Sequence, residues 1–241
     1  MPDTYKTLEW DKTNERYFEA GVDKCVLYKM NADKTYANGV AWSGVTNITQ
    51  NPTGGEANDI FADNIKYASI RGAESYEASL TAYTYPDEWM ECDGSKTPGL
   101  GVYIGQQKRA GFGLCYRTLI GNGDLDLNGA DDYMLHLVYG LTADPAERAY
   151  DTVNEDPEAI EFEWNMKSVP IKIATPGFRP TSILTIDSRK FKTEQEKALL
   201  KALEDTLYGV STDATTSEAG SPATLPTPDE VLDILELTPA G

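Results

Sequence analysis

SYEASLTAYTYPDEWMECDG, residues 75–94, is the stretch that decides the fold. In its first half Tyr76, Ala78, Leu80 and Ala82 alternate with Ser75, Glu77, Ser79 and Thr81. Successive side chains of a strand point to opposite faces, so this is a β-strand with one dry and one wet side. The strand stops at Tyr85-Pro86-Asp87, because proline has no N–H for the ladder and fixes φ. A short acidic and aromatic segment, Asp87 to Asp93, then closes on Gly94.

The same alternation recurs downstream. Ile160, Phe162, Trp164 and Met166 interleave with Glu161, Glu163, Asn165 and Lys167, the cleanest amphipathic strand of the chain. Further strands are expected over 21–30, 39–49, 60–70 (interrupted by the turn formers Asp63 and Asn64), 101–106, 111–119, 132–141 and 182–186. Between them lie a polar loop at 51–59 with Pro52, Gly54 and Gly55, a turn at 121–129 and one helical turn at 144–149. One long helix is expected. Thr193 and Glu196 form a capping box, Leu199, Leu200, Leu203 and Leu207 recur at helical spacing, and Gly209 stops it. Residues 210–226 read as a Ser/Thr/Ala/Gly/Pro linker, and 227–237 as a short docking helix behind a second capping pattern. Many short strands with frequent turns and one helix predict a mainly β fold: two packed β-sheets, sandwich or split barrel, with a flanking α-helix. The expected organisation is an N-terminal arm at 1–20, a β domain with its helix at 21–209, and a linker and docking tail at 210–241.

The 241 residues carry 39 Asp and Glu against 21 Lys and Arg, a formal net charge of −18. Such a charge repels nucleic acid and argues against ordinary DNA or RNA binding. No apolar run approaches the length of a membrane-spanning helix, and the polar N-terminus has no signal-peptide core, which predicts a protein made and used in a cytoplasm or released by lysis. Cys25, Cys92 and Cys115 are odd in number and form no C-x-x-C pair, so they read as reduced core residues.

Little in the chain points to catalysis. His136, the single histidine, sits in a strand between Leu135 and Leu137 with no nucleophile at a suggestive spacing, and reads as a satisfied sheet residue. The glycine-rich 99–105 stretch lacks the lysine and following helix of a phosphate loop. Asp124, Asp126, Asn128 and Gly129 match the start of a calcium loop. The position of the bidentate glutamate is Leu135, however, so a polar hairpin tip is the favoured reading and no metal or other cofactor is expected.

Beyond this, the chain resembles the major tail proteins of long-tailed bacteriophages, the subunits of the tail tube. The likeness is carried by the 75–94 block together with Gly21-Val-Asp-Lys-Cys-Val-Leu-Tyr, Gly39-Val-Ala-Trp-Ser-Gly-Val-Thr-Asn and Glu56-Ala-Asn-Asp-Ile-Phe-Ala-Asp-Asn-Ile-Lys-Tyr. Ile104-Gly-Gln-Gln, Gly113-Leu-Cys-Tyr-Arg-Thr-Leu-Ile-Gly-Asn, His136-Leu-Val-Tyr-Gly, Pro157-Glu-Ala-Ile-Glu-Phe-Glu-Trp and the helix ending Leu207-Tyr-Gly follow in the same order. The likeness covers roughly residues 20–210 and the 225–235 tail, and the N-terminal arm departs from it.

The resemblance implies a non-enzymatic, self-assembling protein of the virion, present in the host cytoplasm during assembly. Its homo-hexameric rings would stack into a tube, with tape measure, tail terminator and distal tail proteins as partners. DNA would pass through the lumen without specific binding, with no membrane involved. Lumen-facing candidates are Glu77, Ser79 and Thr81 from one strand and Glu161, Glu163 and Asn165 from the other, with Tyr76, Leu80, Phe162 and Trp164 packing the core. Intersubunit candidates are Trp10, Tyr17 and Phe18 in the arm, Pro52, Gly54 and Gly55 in the polar loop, and Leu232 and Leu235 in the tail. A soluble β-sandwich binding module is the alternative, with Tyr83, Tyr85 and Trp89 as a platform for stacking carbohydrate. An enzyme on a β scaffold is a further class, which would need a pocket of convergent titratable groups.

Overall fold

A computed structural model describes residues 7–10, 12, 16–36, 38–122, 132–150, 152, 159–212 and 220–237. The protein is mainly β, with antiparallel sheets and a few helices. The 75–94 block behaves as its alternation requires. Strand β8 (Glu77–Ala82) buries Ala78, Leu80 and Ala82 and turns Glu77, Ser79 and Thr81 outward. It hydrogen-bonds on one side to β3 (Val45–Gln50) and on the other to β13 (Phe162–Ser168). After Pro86 the chain makes a single helical turn, α1 (Trp89–Cys92), with Trp89 and Cys92 wholly buried.

These strands form one layer. The other contains β2 (Val40–Ala41), β1 (Tyr17–Lys29), β11 (Phe112–Asn122), β12 (Tyr133–Ala143) and β14 (Ile183–Asp187), in that spatial order. Strand β12 belongs to both layers. Its first half pairs with β14, and its last three residues pair with β13. Between the two lies Gly140, at φ 63°, where an added Cβ would stand 2.2 Å from the carbonyl oxygen of Val169. Only glycine permits that approach. The layers are therefore two parts of one hydrogen-bonded sheet that folds at β12, with the short β2-to-β3 connection crossing between them at the other side.

Two apolar cores result. The inner core lies between the layers, where Trp42, Trp89, Trp164 and Phe112 pack tilted or edge-on with ring centroids 4.7–5.5 Å apart, joined by Leu27, Leu80, Leu114 and Leu141. The outer core covers the far face of β1, β11 and β12. There Val26, Tyr28, Cys115, Leu135, Leu137 and Tyr139 meet α2 (Glu194–Tyr208) through Leu200, Leu203 and Leu207. Both bonds of the expected capping box, Thr193 with Glu196, are present. A second helix, α3 (Pro228–Ile234), begins with its own capping box and places Val231 and Leu235 in the same core. All three cysteines are free and buried.

Three short ribbons complete the fold. β4 (Thr53–Gly54) pairs with β7 (Glu74–Ser75), β5 (Ala57–Ala62) with β6 (Ile65–Arg71), and β9 (Lys96–Gly99) with β10 (Val102–Ile104). Asp63 and Asn64 turn the second of these with φ of 52° and 64°, the left-handed pair of a tight hairpin turn.

Several expectations need correction. Tyr17 and Phe18 are not part of a free arm: β1 starts at Tyr17 and pairs with β11 from Tyr17↔Asn122 onward. Phe18 lies over Gly121, and the Tyr17 ring stacks on Arg189. The 51–59 segment is no plain loop, since Thr53 and Gly54 pair in a ribbon and β5 begins at Ala57. Residues 144–149 form no helical turn; Arg148 instead pins this segment by an ion pair to the half-buried Asp93 and lies over the Tyr85 ring. The described part of the 210–226 linker is docked rather than free, because Val210 bridges Ser221 and Leu225 is buried in the outer core. Leu235 is likewise buried in its own subunit, so it is not an anchor for a neighbour, whereas Leu232 remains half-buried at a groove.

Candidate functional site

Strand β8, with its neighbours β3 and β13, builds an ordered polar surface. Register across β3, β8 and β13 aligns Asn47, Thr81 and Glu163 in one row, and Thr49, Ser79 and Asn165 in the next. In a third row Glu77 lies opposite Lys167, which in turn faces Thr142 of β12. Each side chain here is one residue removed from a core residue, so the period-2 rule that buries Leu80 and Trp164 also gathers these groups on the outside. Glu161, just before β13, joins them by accepting a 2.9 Å hydrogen bond from the Thr46 hydroxyl. All six lumen-facing candidates therefore stand on one face, and Tyr76, Leu80 and Trp164 are buried beneath them, with Phe162 half-buried.

This face is acidic. Glu77, Glu161, Glu163 and Asp144 are set against Lys167, whose ammonium lies 3.9 Å from Glu77 and 3.8 Å from Asp144. At such distances and exposures the pairing is weak, and the face keeps its negative sign. Helices α2 and α3 pack on the other layer and leave it uncovered.

Two hairpins carry a different chemistry. In β5–β6 the side chains of Ile60, Phe61, Ile65, Tyr67 and Ile70 are exposed, and nearly every residue of both strands is open to solvent. The tip of β9–β10 exposes Leu100, Val102, Tyr103 and Ile104. The sequence predicts a strand over 60–70 but not that its large apolar side chains stand exposed. The available signal was its apolar content beside a loop already assigned to contacts. Pro52, Gly54 and Gly55 lie at the base of this hairpin, and Trp10 is 76 % exposed.

The remaining candidates resolve individually. His136 is buried, stacked on Tyr116 at 4.8 Å, with its ring nitrogens 3.0 Å from the Thr118 hydroxyl and 3.4 Å from that of Thr185. Burial pushes its pKa below the ordinary value, and Glu19, 3.6 Å away, pulls it back up. Burial also pushes the Cys92 and Cys115 thiols up to about 12, which removes them from thiolate chemistry. Tyr83, Tyr85 and Trp89 form no shared platform: Trp89 is 0 % exposed, and Tyr85 packs edge-on against Phe162 and Trp164. The 124–129 stretch lies outside the described residues, and among the described residues no cluster suits a metal ion. No protein-family model matches the chain, and no curated protein does.

Proposed function

We propose that this chain is the tube-forming subunit of a long phage tail, closing into hexameric rings that stack around a channel for DNA. The observation that carries this reading is the β5–β6 hairpin. It presents five large apolar side chains to solvent and has no core of its own. A two-stranded ribbon is marginal in water by itself, and a monomer gains nothing from exposing such a surface, so the hairpin fits an intersubunit contact. The acidic face of β3, β8 and β13 supplies the second requirement, a wall that phosphate passes without adhering. Among the described residues strand β3 pairs only with β8, which leaves an edge to pair with a neighbour during ring closure. The role is structural, without catalysis, and the partners are further copies of the chain and the other proteins of the tail.

Negative-stain microscopy and sedimentation of the purified protein across a concentration series test this. Rings or hollow tubes are expected. A monodisperse monomer at every concentration, with the hairpin intact, overturns the proposal.

A further inference from the structure

The β9–β10 hairpin ends in an apolar tip. Leu100 and Gly101 make its two-residue turn with φ of 54° and 73°. Asparagine and glycine favour that left-handed pair, whereas a bulky leucine adopts it at a cost. Leu100 is nonetheless fully exposed, and Val102, Tyr103 and Ile104 beside it are open to solvent as well. At the base of the hairpin lies a pocket of about 310 Å³ whose charged lining residues are Lys96, Lys108, Arg109 and Glu91. Glu91 is paired with Lys29 at 3.0 Å, and the neighbouring Asp93 with Arg148. Asp87 and Glu88 precede α1 and do not line the pocket. Among the described residues Lys96 and Lys108 have no ion-pair partner. Hairpin and pocket lie within residues 94–123, which contain no Asp or Glu, although the chain has 39 in its 241 residues. This corner of an acidic molecule is locally positive.

A face that is apolar at its tip and cationic at its base fits a partner that is apolar and carries a free carboxylate. Nucleic acid offers phosphate but nothing apolar to cover the tip, and the net charge of −18 repels it. The β5–β6 hairpin offers both properties. Asp63 in its turn stands between the exposed Phe61 and Ile65 and has no ion-pair partner among the described residues, whereas Asp59 is tied to Lys66 at 2.7 Å. Arg71 lies at the other end of that ribbon, opposite Ala57. In the exposed arm, by contrast, Glu9 is already paired with Lys12. We infer that the β5–β6 hairpin of one copy docks on the β9–β10 hairpin of the next, with Asp63 seated at Lys96 and Lys108 and the apolar side chains of the two ribbons closing over each other. Two different patches meeting head to tail make the kind of contact that closes a ring. The inference rests on the self-assembly reading, and it names the surface that receives the hairpin.

Charge reversal in the full-length protein tests it, read as the assembled fraction in sedimentation at low salt. Asp63→Lys in one variant, and Lys96→Glu/Lys108→Glu in another, are each expected to cut that fraction at least tenfold. Lysine suits the turn, since Lys34 takes φ 67° in the same chain, and thermal midpoints show whether each subunit folds. A chain carrying all three substitutions restores the pairing at every interface and is expected to assemble like the parent. Zero-length carbodiimide coupling of the parent, mixed from isotopically light and heavy chains, is expected to join Asp63 of one isotope to Lys96 or Lys108 of the other. The crosslink needs no variant, so it decides even where a variant misfolds. If the parent forms tubes while the folded single-site reversals assemble normally, or while no mixed-isotope link appears, the inference is overturned and the tube reading stands. Mixed-isotope links in oligomers that form no rings or tubes keep this contact and remove the tube reading instead. A parent that stays monomeric at every concentration overturns both.

Discussion

Gly21 and Asp23 show how much one motif can decide. Gly21 takes φ 71°, and the pairing of β1 with β11 slips on both sides of Asp23. Such bulges bend a strand and re-aim its side chains. Asp23 then accepts two hydrogen bonds from Arg117, at 2.9 and 2.7 Å, across the irregularity. At the same scale, Leu203 is 0 % exposed beneath α2, in contact with the outer core. Leu203→Ala is expected to cost about 2–5 kcal/mol in urea unfolding, with m unchanged. An unaltered midpoint would mean that the stripe stabilises only the assembly. His136 gives a pH prediction. Its folded-state pKa lies below the ordinary 6.5, with burial as the larger cause and Glu19 opposing. The unfolded chain therefore takes up the proton first as pH falls, and stability declines from about pH 6.5 downward. His136→Gln should flatten that part of the stability–pH curve, read from thermal midpoints between pH 7.5 and 5; an unchanged slope assigns the pH dependence to carboxylates.

Among the elements, what could be read from sequence depended on how many faces each one buries. Strands β8 and β13 have one dry and one wet face, and their alternation named both the core residues and the polar ones correctly. Strands β11 and β12 lie between two cores, so Phe112-Gly-Leu-Cys-Tyr and Leu135-His-Leu-Val-Tyr are buried throughout and carry no alternation. Their existence was legible, but not which layer each face meets. Helix α2 was legible from its capping box and leucines. The docking of α3 was not, because anchors such as Leu235 look alike whether they serve their own core or a neighbour's. The β5–β6 hairpin was obscured in the opposite sense: Ile60, Phe61 and Tyr67 have the composition of a core strand and only the fold exposes them. The paired substitution Phe61→Glu/Tyr67→Glu is expected to leave the unfolding free energy of the subunit within about 0.5 kcal/mol of the parent, as for surface changes, and its thermal midpoint nearly unchanged, while abolishing large assemblies in sedimentation. A lowered midpoint with assembly intact would return the hairpin to a role within the subunit.

For the whole molecule, the division of surfaces matters most. One layer is sealed by helices, the other presents an acidic face, and apolar hairpins project where neither layer covers them. Replacing Glu77, Glu161 and Glu163 by lysine should leave assembly intact but make the particles retain DNA at low salt, with retention falling steeply as salt screens the face over roughly 8–10 Å. Unchanged DNA retention at every salt concentration would place those side chains away from any channel. The most direct measurement is a cryo-electron microscopy reconstruction of the assembled protein. Six-fold rings around a hollow channel are expected, with the outward side chains of β8 and β13 lining it and β5–β6 hairpins bridging between subunits. A reconstruction with those strands on the outer surface, or with no channel at all, would contradict it.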